Sequence, residues 1–133
     1  MILSDIDIKD AVYMLIKESK LPKMIGGLVY KDTRPSNSVD EDISISVLAG
    51  DASQVQEFIL NVNVFVPDVM RGNDAIENTM RLRKLARECI CVMGERVVGG
   101  IYYKLESQRI MAVEGAAFHF INNRLTARCC NGG

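Results

Sequence analysis

Apolar and polar residues alternate through "FILNVNVFVPD" (58–68). Phe58, Leu60, Val62, Val64 and Val66 fall on one parity, and Ile59, Asn61, Asn63 and Phe65 on the other. A period of two predicts a β-strand, here with one wholly apolar face. The other face is mixed: plain solvent favours Lys, Glu and Thr there, whereas a core excludes asparagine. "ISISVLAGD" (43–51) has the same period, with Ile43, Ile45 and Val47 opposite Ser44, Ser46 and Leu48. Gly50 and Asp51 predict a turn between these strands, and Pro67–Asp68 a stop. "LVYKD" (28–32) reads as a short strand. "GIYYKLES" (100–107) and "RIMAVE" (109–114) read as two more, and "AAFHFINNRLTARCC" (116–130) as the last, with a break expected at Asn122–Asn123.

Two segments carry the helical period. In "DIDIKDAVYMLIKESK" (5–20), Ile8, Val12, Leu15 and Ile16 share a face. Ser4 and Asp7 have capping-box spacing, and Pro22 blocks continuation. Residues 73–93 predict the longest helix, capped by Asn73 or Asp74, with Gly94 just beyond its end. Its apolar stripe is Ile76, Met80, Leu82, Leu85, Ala86, Cys89, Ile90 and Met93. Residues 33–42, "TRPSNSVDED", form a polar loop or arm, and the terminal "NGG" (131–133) reads as loose.

The expected order is therefore α-β-β-β-α-β-β, with room for one more strand. Short connections make consecutive strands antiparallel. The fold class is α+β: an antiparallel sheet of about four to six strands with two helices packed on one face. A chain of 133 residues, 48% apolar and 25% charged, is one domain (1–133) able to bury an ordinary core. A net charge of −1 with no basic patch speaks against a dedicated nucleic-acid binder. The amino terminus lacks the basic region of a signal peptide, and no apolar run spans a bilayer, so a soluble protein of a reducing compartment, with no membrane partner, is expected.

Candidate chemistry is sparse. G-x-S-x-G, H-E-x-x-H, the P-loop and G-x-G-x-x-G are absent. Gly94, Gly99 and Gly100 read as turn residues. Asp40, Glu41 and Asp42 are consecutive acids that cannot all converge on one point, so a solvated loop outweighs cation binding. His119 has no partner in a catalytic motif, and Met70, Met80, Met93 and Met111 read as core filler. Arg81, Arg83, Lys84 and Arg87 spread around a solvated helix. Cys89, Cys91, Cys129 and Cys130 form no C-x-x-C pair and read as reduced thiols. No catalytic residue, cofactor or metal is expected, and the protein is read as a non-enzyme.

If Ile43, Ile45, Val47, Val62, Val64 and Val66 face the helices, the opposite face carries Ser44, Ser46, Leu48, Ile59, Asn61, Asn63 and Phe65. Tyr102, Lys104, His119 and Ile121 are expected to join them. Small polar groups among a few large apolar ones suit an interface better than a free surface, because an amide pairs without the desolvation penalty of a charge. The sheet's second face, or one of its edges, is expected to pack on another copy of the chain. An ordinary half-wet sheet face is the simpler alternative.

The element order and the texture of "RPSNSVDEDISISVLAGDASQVQEFILNVNVFVPD", followed by a long helix and closing strands, resemble bacteriophage tail terminator (tail completion) proteins. They also resemble small tail components of phages and prophages of Bacteroides-type bacteria. The resemblance covers roughly residues 5–128 and implies a virion protein assembled in the host bacterial cytoplasm. It implies a homo-oligomeric ring, commonly a hexamer, that caps the tail tube and meets a head-completion or neck protein. Genomic DNA passes through such a ring without sequence-specific binding. The interface residues implied are Arg34, Pro35, Asp40, Glu41, Asp42, Ser44, Ser46, Ile59, Asn61, Asn63 and Phe65, with loop 33–42 an arm that orders on assembly. Cys129 and Cys130 have no place in the family pattern. Three alternatives stand beside it: a head–tail connector or stopper ring; a small enzyme or ligand-binding domain using His119, Tyr102 and Asn63 in a cleft; and a monomeric adaptor of host origin.

Overall fold

Because two strands and two helices bury strictly periodic apolar stripes, most of the chain folds around a single core. The computed structural model describes residues 2–51 and 55–130, the side chain of Cys130 excepted. The element order is α1 (Asp5–Lys17), α2 (Leu21–Met24), β1 (Val29–Lys31), β2 (Ile43–Asp51), β3 (Val55–Pro67), β4 (Val69–Arg71), β5 (Asp74–Ile76), α3 (Thr79–Met93), β6 (Arg96–Val98), β7 (Ile101–Ala112) and β8 (Phe118–Cys130). A six-stranded sheet has the order β1-β2-β3-β8-β7-β6, and β4–β5 is a separate hairpin.

The class is α+β, but the layout differs from α-β-β-β-α-β-β with two helices on one face. The described residues form three helices, and the sheet is curled. α1 packs at the β1–β2 side, α3 against β3, β8 and β7, and the short α2 touches both helices. β1 lies parallel to β2, because the loop through residues 32–42 carries the chain back to the start of the neighbouring strand. The other sheet pairings are antiparallel.

The helix at 5–20 ends at Lys17, where the chain turns ahead of Pro22 and restarts as α2. Its capping box forms as expected: the Asp7 N–H donates to Ser4 Oγ (3.1 Å) and the Ser4 N–H to Asp7 Oδ2 (2.8 Å). The Ser4 N–H and the Ser4 hydroxyl, both donating to Asp7 Oδ2, favour the carboxylate and hold Asp7 below its usual titration range. The helix predicted from residue 73 starts instead at Thr79, capped by Asn78, whose side chain accepts from the Arg81 N–H. Residues 69–76 form the β4–β5 hairpin, whose turn contains Gly72 at φ +64°, a conformation a helix cannot use. The buried stripe of α3 is Leu82, Leu85, Cys89, Val92 and Met93; Met80 and Ile90 are exposed.

The strands predicted at 100–107 and 109–114 are one strand, β7, which passes the polar "SQR" with a bulge between Leu105 and Ser107. β8 runs unbroken through Asn122–Asn123. Gly50 and Asp51 lie within β2 rather than in a turn; residues 52–54, and the terminal residues 131–133 read as loose, are outside the described part. Of the methionines read as core filler, only Met93 is buried; Met70, Met80 and Met111 are exposed. Ile8, Val12, Ile16, Ile43, Ile45, Leu60, Val62, Val64, Leu85, Met93, Ile121 and Leu125 are fully enclosed in one core cluster. Cys89 is also enclosed there, and burial pushes its thiol up to about 12.

Candidate interaction surface

The register of the central strands fixes what the face opposite the core carries. Asn63 pairs with Ser44 on one side and Asn122 on the other, Asn61 with Ser46 and Arg124, Ile59 with Ala49 and Thr126, and Phe65 with Phe120. β7 extends these rows with Arg109, Ser107, Lys104 and Met111. The asparagines answer to one another: the Asn122 amide donates to Asn63 Oδ1 (2.7 Å) and Asn61 Oδ1 (3.2 Å). Mutual pairing lets them sit half-buried beside an isoleucine and a phenylalanine, while the neighbouring Arg124 keeps its charge exposed to water. Towards one end the face becomes aromatic. Phe65 and Phe120 stack with centroids 5.5 Å apart.

Loop 33–42 is anchored at that aromatic end. The Arg34 guanidinium lies 4.2 Å from the Phe65 ring centroid and 4.3 Å from that of Phe118. It also donates to Asp42 Oδ2 (3.2 Å) and to the Asp40 carbonyl (3.3 Å). Asp42, 1% exposed, further accepts from Ser38 Oγ (2.5 Å) and the Leu28 N–H (3.1 Å). Gly27 makes room for it: a Cβ there would sit 2.0 Å from Asp42 Oδ1. Glu41 is clamped from the other side by Arg81, through Nε (2.7 Å) and a terminal nitrogen (2.7 Å) that also reaches the Met24 carbonyl. Donating to the Glu41 carboxylate raises the Arg81 pKa further, and Arg81 thus leaves the solvated band expected for it. Of the loop residues singled out from the sequence, Pro35 and Asp40 face outward, whereas Asp42 and much of Glu41 and Arg34 turn inward to hold the loop.

Three sequence assignments to the second face change. Ile121 is buried in the core opposite Val64, and His119 pairs with Val66 on the same side, where its Nδ1 lies 2.7 Å from Asp68 Oδ1. Leu48 falls in a bulge of β2 and leaves the row, while Tyr102 and Lys104 do lie on the second face. The residues of β8 that face out are Phe120, Asn122, Arg124, Thr126 and Arg128, none of which was singled out. The alternation Ile121, Leu125, Ala127 against Asn122, Arg124, Thr126, Arg128 carried the signal, but the phenylalanines flanking His119 pull the parity the other way. Because His119 lies across the sheet from Asn63 and Tyr102, those three form no common cleft.

Asn123 serves the core: it is fully enclosed, donates to the Val62 carbonyl (3.1 Å) and accepts from Gln108 (2.8 Å). Two open clefts, of about 380 and 370 Å³, flank Arg128 near the β2–β3 tip. The first is lined by Ala49, Gly50, Glu57 and Ile59, the second by Val97, Gly100, Tyr102 and Cys129. Arg128 is itself paired with Glu57 at 2.6 Å. Among the described residues, no three His, Cys, Asp or Glu side chains are placed to hold a metal ion, and no helix is long and apolar enough to cross a membrane.

Comparison with solved structures finds the same arrangement in a chain from the virion of a native gene transfer agent (GTA) particle. The match covers 93% of this chain and 95% of the other, at a TM-score of 0.60 and 16% identity. The fold is one that occurs in a gene transfer agent virion. At this identity the likeness speaks for the fold alone. No protein-family model and no curated protein matches the sequence.

Proposed function

We propose that the protein is a structural component of a phage-type virion, assembled as a homo-oligomeric ring that caps the tail tube and joins it to the head or neck. The observation that carries this reading is the end-to-end fold likeness to a chain of a GTA virion, covering 93% and 95% of the two chains. It agrees with the tail-terminator texture of residues 34–68. The physical design also supports an assembly role. The second face spreads paired amides, two stacked aromatics and exposed Lys104, Arg109 and Arg124 across three strands, which is the mix of a protein interface. Ser46, Ile59, Asn61, Asn63 and Phe65 contact sister subunits or adjoining virion proteins, with Arg34, Pro35 and Asp40 at the margin; Ser44, 5% exposed, lies beneath them. Glu41 and Asp42 act from within by fixing the loop. Six subunits complete the ring, as in the family it resembles, and DNA passes through its lumen without being read.

The test is direct. Light scattering after gel filtration and negative-stain images of the purified protein, alone and mixed with tail tubes of its own phage or prophage, should show rings, free or seated on tube ends. A strict monomer in both settings would overturn the proposal. Phe65→Glu should abolish rings while leaving the monomer folded.

A further inference from the structure

The sheet has two open edges at opposite corners. On one side β6 pairs with only the first part of β7, Ile101–Tyr103. Among the described residues, no strand borders β7 on its outer side from Lys104 to Ala112. On the other side β1 borders β2 only from Ile43 to Ile45, and its border ends where the Asp32 N–H donates to the Ile45 carbonyl (2.7 Å). From Ser46 to Gly50 the outer side of β2 has no neighbouring strand among the described residues.

Natural sheets guard such edges with charge, bulges or cover. Half of the β7 edge is guarded: Lys104, Glu106 and the bulge at Leu105/Ser107 occupy it. The other half, 108–112, is regular in register, and Ile110 (43% exposed) and Met111 (41%) flank it on the two faces. The Val113 N–H donates to the Phe118 carbonyl across to β8 (2.9 Å), so by antiparallel alternation Met111 and Arg109 also turn inward, and Gln108, Ile110 and Ala112 present their N–H and C=O groups outward. On β2 the same alternation from Ile43 and Ile45 puts Val47 outward; a bulge follows between Val47 and Ala49, and its extra residue, Leu48, is 52% exposed, so this edge keeps one bulge but carries no charged side chain from Ser46 to Gly50.

The directions decide the partner. β2, β3, β8 and β7 alternate, so β2 and β7 run in opposite directions, and their open stretches are the carboxyl-terminal halves of each, at opposite ends of the sheet. We infer that residues 108–112 of one copy add as an antiparallel strand to residues 46–50 of the next, making one continuous sheet through successive subunits. The two edges differ, so the contact is head-to-tail, the type that closes into rings. The diagonal placement of the edges displaces each copy along the strand direction, the stagger that a closing sheet requires. Ile110 and Met111 meet Leu48 and Val47, removing apolar surface from water on both sides of the new ladder. This rests on the ring reading proposed above and names the contact that builds the ring.

Amide hydrogen exchange on the wild-type protein, dilute and assembled, tests it. Residues 108, 110, 112 and 47 should slow at least tenfold on assembly. Ile110→Pro removes an outward N–H, a change that edge strands tolerate. It should keep the monomer's circular dichroism and thermal midpoint, yet lose the rings. Rings that form without slowing at these amides, or rings of folded Ile110→Pro, would overturn the edge contact and leave the ring reading intact. Slowing on β7 alone, in a dimer, would overturn the head-to-tail arrangement. If Ile110→Pro fails to fold, the exchange result decides by itself. A wild type that stays monomeric even with tail tubes overturns the ring reading, and this contact with it.

Discussion

The two faces of the β3–β8 pair are built from adjacent residues of the same strands, yet they solve opposite problems. On the core side, Leu60, Val62, Val64, Ile121 and Leu125 are fully enclosed against the helices. On the other side, Ile59, Asn61, Asn63, Phe65 and Asn122 stay half-exposed; the three asparagines share amide hydrogen bonds and Phe65 stacks on Phe120. The first face is stabilised by the apolar area it removes from water. The second is kept soluble without being wholly charged, which leaves it dry enough to bind and polar enough to wait. A pleated strand makes this possible because neighbouring side chains never share an environment.

Substitutions that cross this divide should separate the two roles. Leu60→Ala should have the largest effect, about 3 kcal/mol of stability by urea titration, because it leaves a cavity in a close-packed core. Its neighbour Ile59→Ala should lose about 1 kcal/mol or less, and equal losses at the two positions would erase the distinction between faces. Asp42→Ala comes next, at about 3 kcal/mol, since it strands the buried ends of Arg34 and the Leu28 N–H. Asp42→Asn should recover part of that. Asn123→Ala should cost about 2 kcal/mol, because the Gln108 amide loses its acceptor and the Val62 carbonyl its side-chain donor in a fully enclosed site.

A smaller effect concerns pH. Cys89 titrates near 9.0 when unfolded and at about 12 in the fold, so the folded state holds a proton the unfolded state releases between those values. Stability should be complete below pH 9 and fall as pH rises towards 12, read as a declining urea midpoint. At pH 8 a thiol reagent should modify exposed Cys91 readily and leave buried Cys89 untouched until the protein unfolds. Smallest of all, Asn63→Thr should hardly change monomer stability; a large loss would mean that the second face belongs to the folding core.

Much of this was legible beforehand. Strict alternation exposed β2 and β3, the Ser4–Asp7 spacing exposed the cap of α1, and the mixed second face was visible as a question in "LNVNVF". Where reading failed, two local signals competed. In "FHFINNRL" the aromatic pair suggested one parity and the aliphatic residues the other. Only the pairing of Ile121 with Val64 decided between them, and it sent His119 away from the asparagines. In residues 73–78 helix-compatible residues sat beside a turn glycine, and the turn won. The acids of loop 33–42 looked like a solvated cluster because nothing local marks Arg81, forty positions beyond Glu41, as a clamp.

By itself, then, the sequence determined the elements whose periodicity runs longer than one turn or one strand pair, the α+β class, and the existence of two unlike sheet faces, since each follows from how side chains repeat along a backbone of fixed geometry. Tertiary structure alone decided the parallel β1, the merged β7, the partners of Asn122, Asp42 and Arg81, and the two open edges. These depend on which distant segments meet, and periodicity holds no record of distance in space.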